Sequence, residues 1–168
     1  MNCTDFEILN QYSGAYADPP EKIRVAVRGI VVEDGKILLT YETNTGVYMS
    51  PGGGLEDRET LEACCVRELR EEAGIQIEPI KQFLRINEYC PECMYVSNYF
   101  ICEKVGECKQ SPTEIEVEHG AVPEWVEIEK ALAIFAEYPT KRRDIASLYL
   151  REYTMLNKYL EITTASCD

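Results

Sequence analysis

The chain has 168 residues, 30 acidic and 17 basic side chains and a net charge of −13. That length suits a single domain with short extensions, and a 45% hydrophobic, 28% charged composition sits at globular averages, which sets aside wholesale disorder. The acidity sets aside a sequence-independent grip on nucleic-acid polymer, which depends on Lys and Arg neutralising phosphates.

In chain order, residues 1–21 are mixed and end at the breaker Asp18-Pro19-Pro20, so they read as an N-terminal extension. Their start shows no basic stretch followed by an apolar block, so no signal peptide is expected. Ile23, Val25, Val27 and Gly29 alternate with Arg24, Ala26 and Arg28, the period of a strand. Asp34-Gly35 is a hairpin signal, and Ile37-Leu38-Leu39 opens the return strand. Val47-Tyr48-Met49 leads into Pro51-Gly52-Gly53-Gly54.

A helix follows, capped by Thr60, starting at Leu61 and stopping at Gly74. Strands are expected near 76–87 and 94–102. Glu114-Ile115-Glu116-Val117-Glu118 alternates as another strand, with its apolar members toward a core and its glutamates toward water. Pro123 to Val126 reads as extended, 128–137 as a helix ended by Pro139, and 141–160 as an amphipathic last helix. His119, the single histidine, falls in a loop. The domain is expected over 22–162, with 163–168 as a tail. Interleaved strands and helices give an α/β chain (α+β in the mixed sense): a mixed β-sheet covered by helices.

The eight cysteines invite a disulfide framework only in a short exported chain, so reduced thiols and a cytoplasmic location are expected. No apolar run approaches the roughly 18 residues a membrane span needs, so no membrane association is expected. Cys90-Pro91-Glu92-Cys93 reads as a turn between strands. A zinc site would need a second tight pair, and Cys102 and Cys108 are too loosely spaced.

Chemistry concentrates on the first helix. Glu68, Glu71 and Glu72 are three and four residues apart and share a face. Like charges so placed repel, and the helix dipole disfavours anions at this end. Arg67 can pair with Glu71 but does not balance three carboxylates. Clustered hard oxygens suit Mg²⁺, or Mn²⁺, and the glycine-rich loop before the helix would let a phosphate group approach closely. A solvated acidic helix face is the plainer alternative.

The stretch 53–75 carries Gly53, Glu59, Arg67, Glu68, Leu69, Glu71, Glu72, Gly74 and Ile75 at the spacing G-x5-E-x7-R-E-U-x-E-E-x-G-U, with U a bulky aliphatic residue. This resembles the signature of the Nudix (MutT-related) hydrolase family at every specified position. A chance match over the whole chain is on the order of 10⁻⁶. The resemblance implies an α/β/α sandwich and cleavage of a diphosphate linkage in a nucleoside diphosphate joined to another group. It implies Mg²⁺ held by Glu68 and Glu72, often with Glu71, and by the Gly53 carbonyl. Glu71 or Glu68 would activate water, Arg67 would hold a neighbouring carboxylate, and Glu59 and Gly74 would support the loop-helix geometry. A further carboxylate from a later loop often completes such sites, and Glu118 is the candidate, with Glu114 and Glu116 behind it. Many members carry Gly where this chain has Arg58, which would either alter the loop or reach a substrate phosphate. Arg24 and Arg28 share a strand face and are candidates for the same task, and Tyr48 and Tyr89 for stacking on a base. Pro91 lies 16 residues beyond Ile75, near the position of a proline that marks ADP-ribose hydrolases. A homodimer is common among similar proteins. The alternative is a Nudix-like module that binds a nucleotide without cleaving it, although such proteins usually lose box glutamates.

Overall fold

The computed structural model describes residues 5–165. Strand β1 (Glu7–Tyr12) is followed by the hairpin β2 (Ile23–Glu33) and β3 (Lys36–Glu42), then the short β4 (Val47–Met49) and β5 (Gly52–Gly54). Helix α1 (Leu61–Glu68) continues as a π-helical turn, Leu69–Ala73. The long antiparallel pair β6 (Ile75–Tyr89) and β7 (Met94–Glu107) comes next, then α2 (Glu114–His119), β8 (Ala121–Glu127), α3 (Ile128–Phe135), a 3₁₀ turn Tyr138–Thr140 and α4 (Arg143–Ala165).

The strands run in the order β1-β6-β7-β2-β3-β4, with β5 paired to β2 and β8 to β3. The sheet is mixed: β1 is parallel to β6 and β7 to β2, and the other pairs are antiparallel. β2 and β3 pair only near their turn, at Val32↔Ile37 and Glu33↔Lys36. Beyond it they splay, and β5 fills the gap against Ala26, Val27 and Arg28. That wedge brings the glycine loop to the middle of the sheet.

Helices cover both faces. One core joins Val27, Val31 and Leu38 to Cys64, Cys65 and Leu69 of the first helix. The other joins Ile30, Leu39 and Tyr99 to Phe135, Met155 and Leu156 of α3 and α4. Gly29 sets the first contact. A Cβ there would stand 2.7 Å from Leu69 Cδ2 and 3.2 Å from Cys65 Sγ, so the missing side chain lets the helix lie close on β2.

Two sequence expectations change. The 1–21 segment, read as an extension, supplies an edge strand: β1 pairs in parallel with β6 from Glu7↔Leu84 to Tyr12↔Tyr89. Glu114–Glu118 is helical, not extended. Thr113 Oγ1 accepts from the Glu116 N–H at 3.4 Å while the Glu116 carboxylate accepts from the Thr113 N–H at 2.6 Å. This reciprocal cap satisfies donors at the helix start, and Gly120, at φ 67°, ends the helix. His119 is accordingly the last residue of α2. The expected core-facing side also fails, because Ile115 and Val117 are 65% and 63% exposed. Cys90 and Cys93 sit in the β6–β7 turn, where the Cys90 N–H reaches the Cys93 carbonyl at 3.0 Å.

Candidate metal centre

Thr60 caps α1 as its position suggests, Oγ1 accepting from the Ala63 N–H at 3.1 Å. About two turns in, Arg67 acts as a clamp. Its Nε and Nη2 bind the two carboxylate oxygens of Glu59 at 2.8 and 3.0 Å, and Nη2 also reaches the Gly54 carbonyl at 3.0 Å. Nη1 reaches Glu68 at 2.7 Å and Glu71 at 3.3 Å. One planar guanidinium therefore ties the loop to the helix and orients two box carboxylates. The Arg67 hydrogen bonds hold the Glu59 carboxyl at about 2, well below its ordinary value.

Glu68 lies under the glycine loop. A Cβ on Gly53 would stand 2.5 Å from Glu68 Oε2, so only glycine leaves room for that carboxylate. Burial pushes the Glu68 carboxyl upward, opposed by Arg67. The helix then widens: the Gly74 N–H reaches back to the carbonyls of both Arg70 and Leu69. Gly74 itself adopts φ 66°, and a Cβ there would meet Gln110 Cγ at 2.8 Å. Glu72 points inward from this turn, accepting from Thr40 Oγ1 at 2.5 Å and from the Gly52 N–H at 2.7 Å. Burial pushes its carboxyl up to about 7 despite those two hydrogen bonds and the charge of Arg28.

The third carboxylate comes from α2. Ligand oxygens of Glu68, Glu72 and Glu116 lie within 4.8 Å of one another. The turn after β3 holds α2 in place: Asn44 Nδ2 donates to the Glu118 carbonyl at 2.6 Å, and the Thr43 N–H to the Gly120 carbonyl at 3.1 Å. His119 Nδ1 sits 3.0 Å from Glu42 Oε1. Three carboxylates, two of them buried, meet beside one arginine. Such a set of hard oxygens, held close against mutual repulsion, fits a divalent cation.

The sequence candidates divide. Glu68 and Glu72 converge, while Glu71 stays outside the trio, 38% exposed at its side chain and paired with Arg67. Glu116, not Glu118, joins them; Glu114 and Glu118 are exposed. Placing 114–118 on a helix rather than a strand changes which side chain faces the site. Arg58 is exposed, at φ 64°, a left-handed conformation that glycine adopts freely. Arg28 Nη1 donates to the Ser50 carbonyl at 2.6 Å, and its buried Nε has no partner among the described residues. Arg24 is exposed on the same strand. Tyr48 stacks on Tyr41 with centroids 4.4 Å apart, and its hydroxyl donates to Glu124 at 3.2 Å. Tyr89 stacks on Tyr12 at 5.1 Å, so it packs with its own chain. Gly53 and Glu59 occupy the loop described above.

Behind the loop lies a buried charge network that sequence reading missed. Arg151 Nη1 binds Glu88 at 2.9 Å and Nη2 binds Glu152 at 3.0 Å. Glu152 also accepts from the Ser50 hydroxyl and from its N–H, two residues before Gly52. The network ties the loop to α4, as Arg67 ties it to α1.

The NUDIX domain profile matches residues 22–148. The chain belongs to the NUDIX family. This NUDIX chain is 38% identical over 88 residues to an ADP-ribose pyrophosphatase of Methanocaldococcus jannaschii, covering 49% of the chain and 52% of that protein. It is 30% identical over 115 residues to phosphatase NudJ of Escherichia coli K12, covering 66% of the chain and 72% of that protein. The chain thus spans about half the length of the first of these relatives. Among solved structures, a NUDIX hydrolase from Nitrosomonas europaea superposes with a TM-score of 0.60 at 23% identity, over 80% of this chain and 90% of that one, which shows the shared fold. No helix among the described residues is long and apolar enough to cross a membrane.

Proposed function

We propose that this NUDIX chain hydrolyses a diphosphate linkage in a nucleoside diphosphate joined to another group, using a divalent cation, Mg²⁺ or Mn²⁺. The convergence of Glu68, Glu72 and Glu116 beside a glycine loop carries the reading. Those three carboxylates would hold the cation, with the Gly53 carbonyl beside them, and the cation would neutralise phosphate charge and acidify a bound water. Glu71, more exposed and oriented by Arg67, takes the proton of the attacking water. Glu72, pinned by Thr40 and the Gly52 N–H, fixes the loop against the helix. Arg28 and Arg58 offer cationic donors to the substrate phosphates. The products are a nucleoside monophosphate and a phosphorylated remainder, or pyrophosphate from a triphosphate. The relative named ADP-ribose pyrophosphatase supports a small nucleotide-type substrate, with ADP-ribose among the candidates. The free thiols fit a reducing compartment, and we place the chain in the cytoplasm.

The test is a phosphate-release screen over nucleoside triphosphates, nucleotide sugars, ADP-ribose and dinucleoside polyphosphates, with Mg²⁺ and then Mn²⁺. Turnover of at least one compound is expected. Glu71→Gln should lower kcat by about 10²–10⁴-fold with the fold intact by circular dichroism. A blank across the panel with both metals would favour a nucleotide-binding module that does not cleave.

A further inference from the structure

A chain of net charge −13 concentrates cations in one place. A cavity of about 750 Å³ opens where the start of β2, the β6–β7 turn and the start of α4 meet. Lys22, Arg24, Arg142, Arg143 and Arg151 line it, five of the 17 basic residues. Three carboxylates share the wall, Glu88, Glu92 and Asp144, leaving an excess of two positive charges.

Pairing concentrates that excess further. Arg151 is neutralised by Glu88 and Glu152, and Arg142 by Asp144 at 2.9 Å. Lys22 and Arg24 have no ion-pair partner among the described residues. Arg143 is positioned but not neutralised: its Nη2 donates to the Ser13 carbonyl at 2.6 Å, and it packs so close to Gly14 that a Cβ there would collide with its guanidinium. Three cations therefore face the cavity against the single unpaired carboxylate of Glu92. Tyr95 and Leu148 add an apolar wall. A cleft with an excess of unpaired charge of one sign focuses the field and concentrates counter-ions. Its volume is that of a small-molecule site, and the acidic remainder of the surface disfavours a nucleic-acid strand.

Buried side chains tie the cavity wall to the loop of the candidate metal centre. Arg24 and Arg28 lie on one face of β2, four residues apart, about 13 Å of strand. Arg28 holds the Ser50 carbonyl, Ser50 holds Glu152, and Glu152 holds Arg151 in the cavity wall. The cationic cavity therefore lies at the start of β2, the strand whose middle pairs with the glycine loop.

We infer that this cavity binds a phosphomonoester at the far end of the substrate, so that the enzyme prefers nucleoside diphosphate derivatives carrying a second, remote phosphate. Lys22, Arg24 and Arg143 supply the charge-assisted hydrogen bonds. The inference rests on the proposed hydrolase reading for its kinetic consequence, while the binding of phosphate to the cavity does not.

The experiment has two arms. In the first, orthophosphate is titrated into the full chain stripped of metal on a chelating resin, and binding is followed by amide chemical shifts. Saturable binding is expected, equal in Glu72→Gln and about tenfold weaker in Lys22→Gln/Arg24→Gln, whose side chains are exposed and unpaired. In the second, kcat/KM is compared for ADP-ribose and its 2′-phosphate. The phosphorylated partner is expected to be preferred, and that ratio to fall about tenfold in the double variant. Absence of saturable phosphate binding, or equal affinity in the double variant, would overturn the cavity as an anion site. Binding at the cavity with no preference for the phosphorylated substrate would overturn the link to substrate choice, although turnover itself would still stand. Phosphate binding without turnover of any compound would count against the hydrolase reading and leave the anion site intact.

Discussion

Glu59 and Arg67 show how one residue pair sets the site. Glu59 touches no proposed ligand carboxylate, yet its two oxygens hold the guanidinium that orients Glu68 and Glu71. Its carboxyl falls from an ordinary 4.5 to about 2 in the folded chain. A depressed carboxyl stabilises the fold above its unfolded value and loses that contribution as pH falls through the folded value. Acid unfolding of the native chain should therefore show a component between about 4.5 and 2 that is absent in Glu59→Gln, as read by denaturant midpoints across that range. Gly53 is the matching steric case. Gly53→Ala pushes a methyl into the Glu68 carboxylate, so Mn²⁺ affinity, measured by electron paramagnetic resonance, should weaken by about tenfold to a hundredfold while the far-ultraviolet spectrum is kept.

Among the elements, α2 decides which acid meets Glu68 and Glu72. Its capping box spends the Thr113 hydroxyl and the Glu116 N–H on each other, and Asn44 and Thr43 fix its far end. Glu116 then faces Glu68 and Glu72, while Glu118 faces solvent. Glu116→Gln should weaken Mn²⁺ binding, whereas Glu118→Gln should leave it at the native value; the reverse order would place the third carboxylate elsewhere. The first helix was legible because its signals are contiguous: Thr60, the box glutamates and Gly74 lie within one short stretch. The second was misread because three glutamates alternating with Ile115 and Val117 imitate a strand. Its true signal, Thr113 three residues before Glu116, was present and local. β1 was not legible, since its six residues find their partner in β6, more than seventy positions away.

At the scale of the whole molecule, the site is held from both sides of the sheet. Arg67 ties the glycine loop to α1, and Glu152 ties Ser50 to α4, where it is fully buried. No sequence pattern announces the second tie, because Arg151 and Glu88 are 63 positions apart and Ser50 and Glu152 are 102 apart. Removing one partner leaves a buried arginine undercompensated, so Glu152→Gln should cost about 3 kcal/mol, roughly 10 °C in Tm by calorimetry. The negative net charge also acquires a pattern. Acid gathers where a cation is proposed to bind, and base gathers in the cavity across β2.

The most direct measurement is the initial rate of hydrolysis of the best substrate in the panel, with and without Mg²⁺, for the native chain, Glu68→Gln and Glu72→Gln. Turnover should require the cation in the native chain and fall by orders of magnitude in both variants, with their folds retained. Native-level turnover in both variants, or turnover unaffected by removal of divalent cations, would contradict the assignment of these carboxylates as the metal centre.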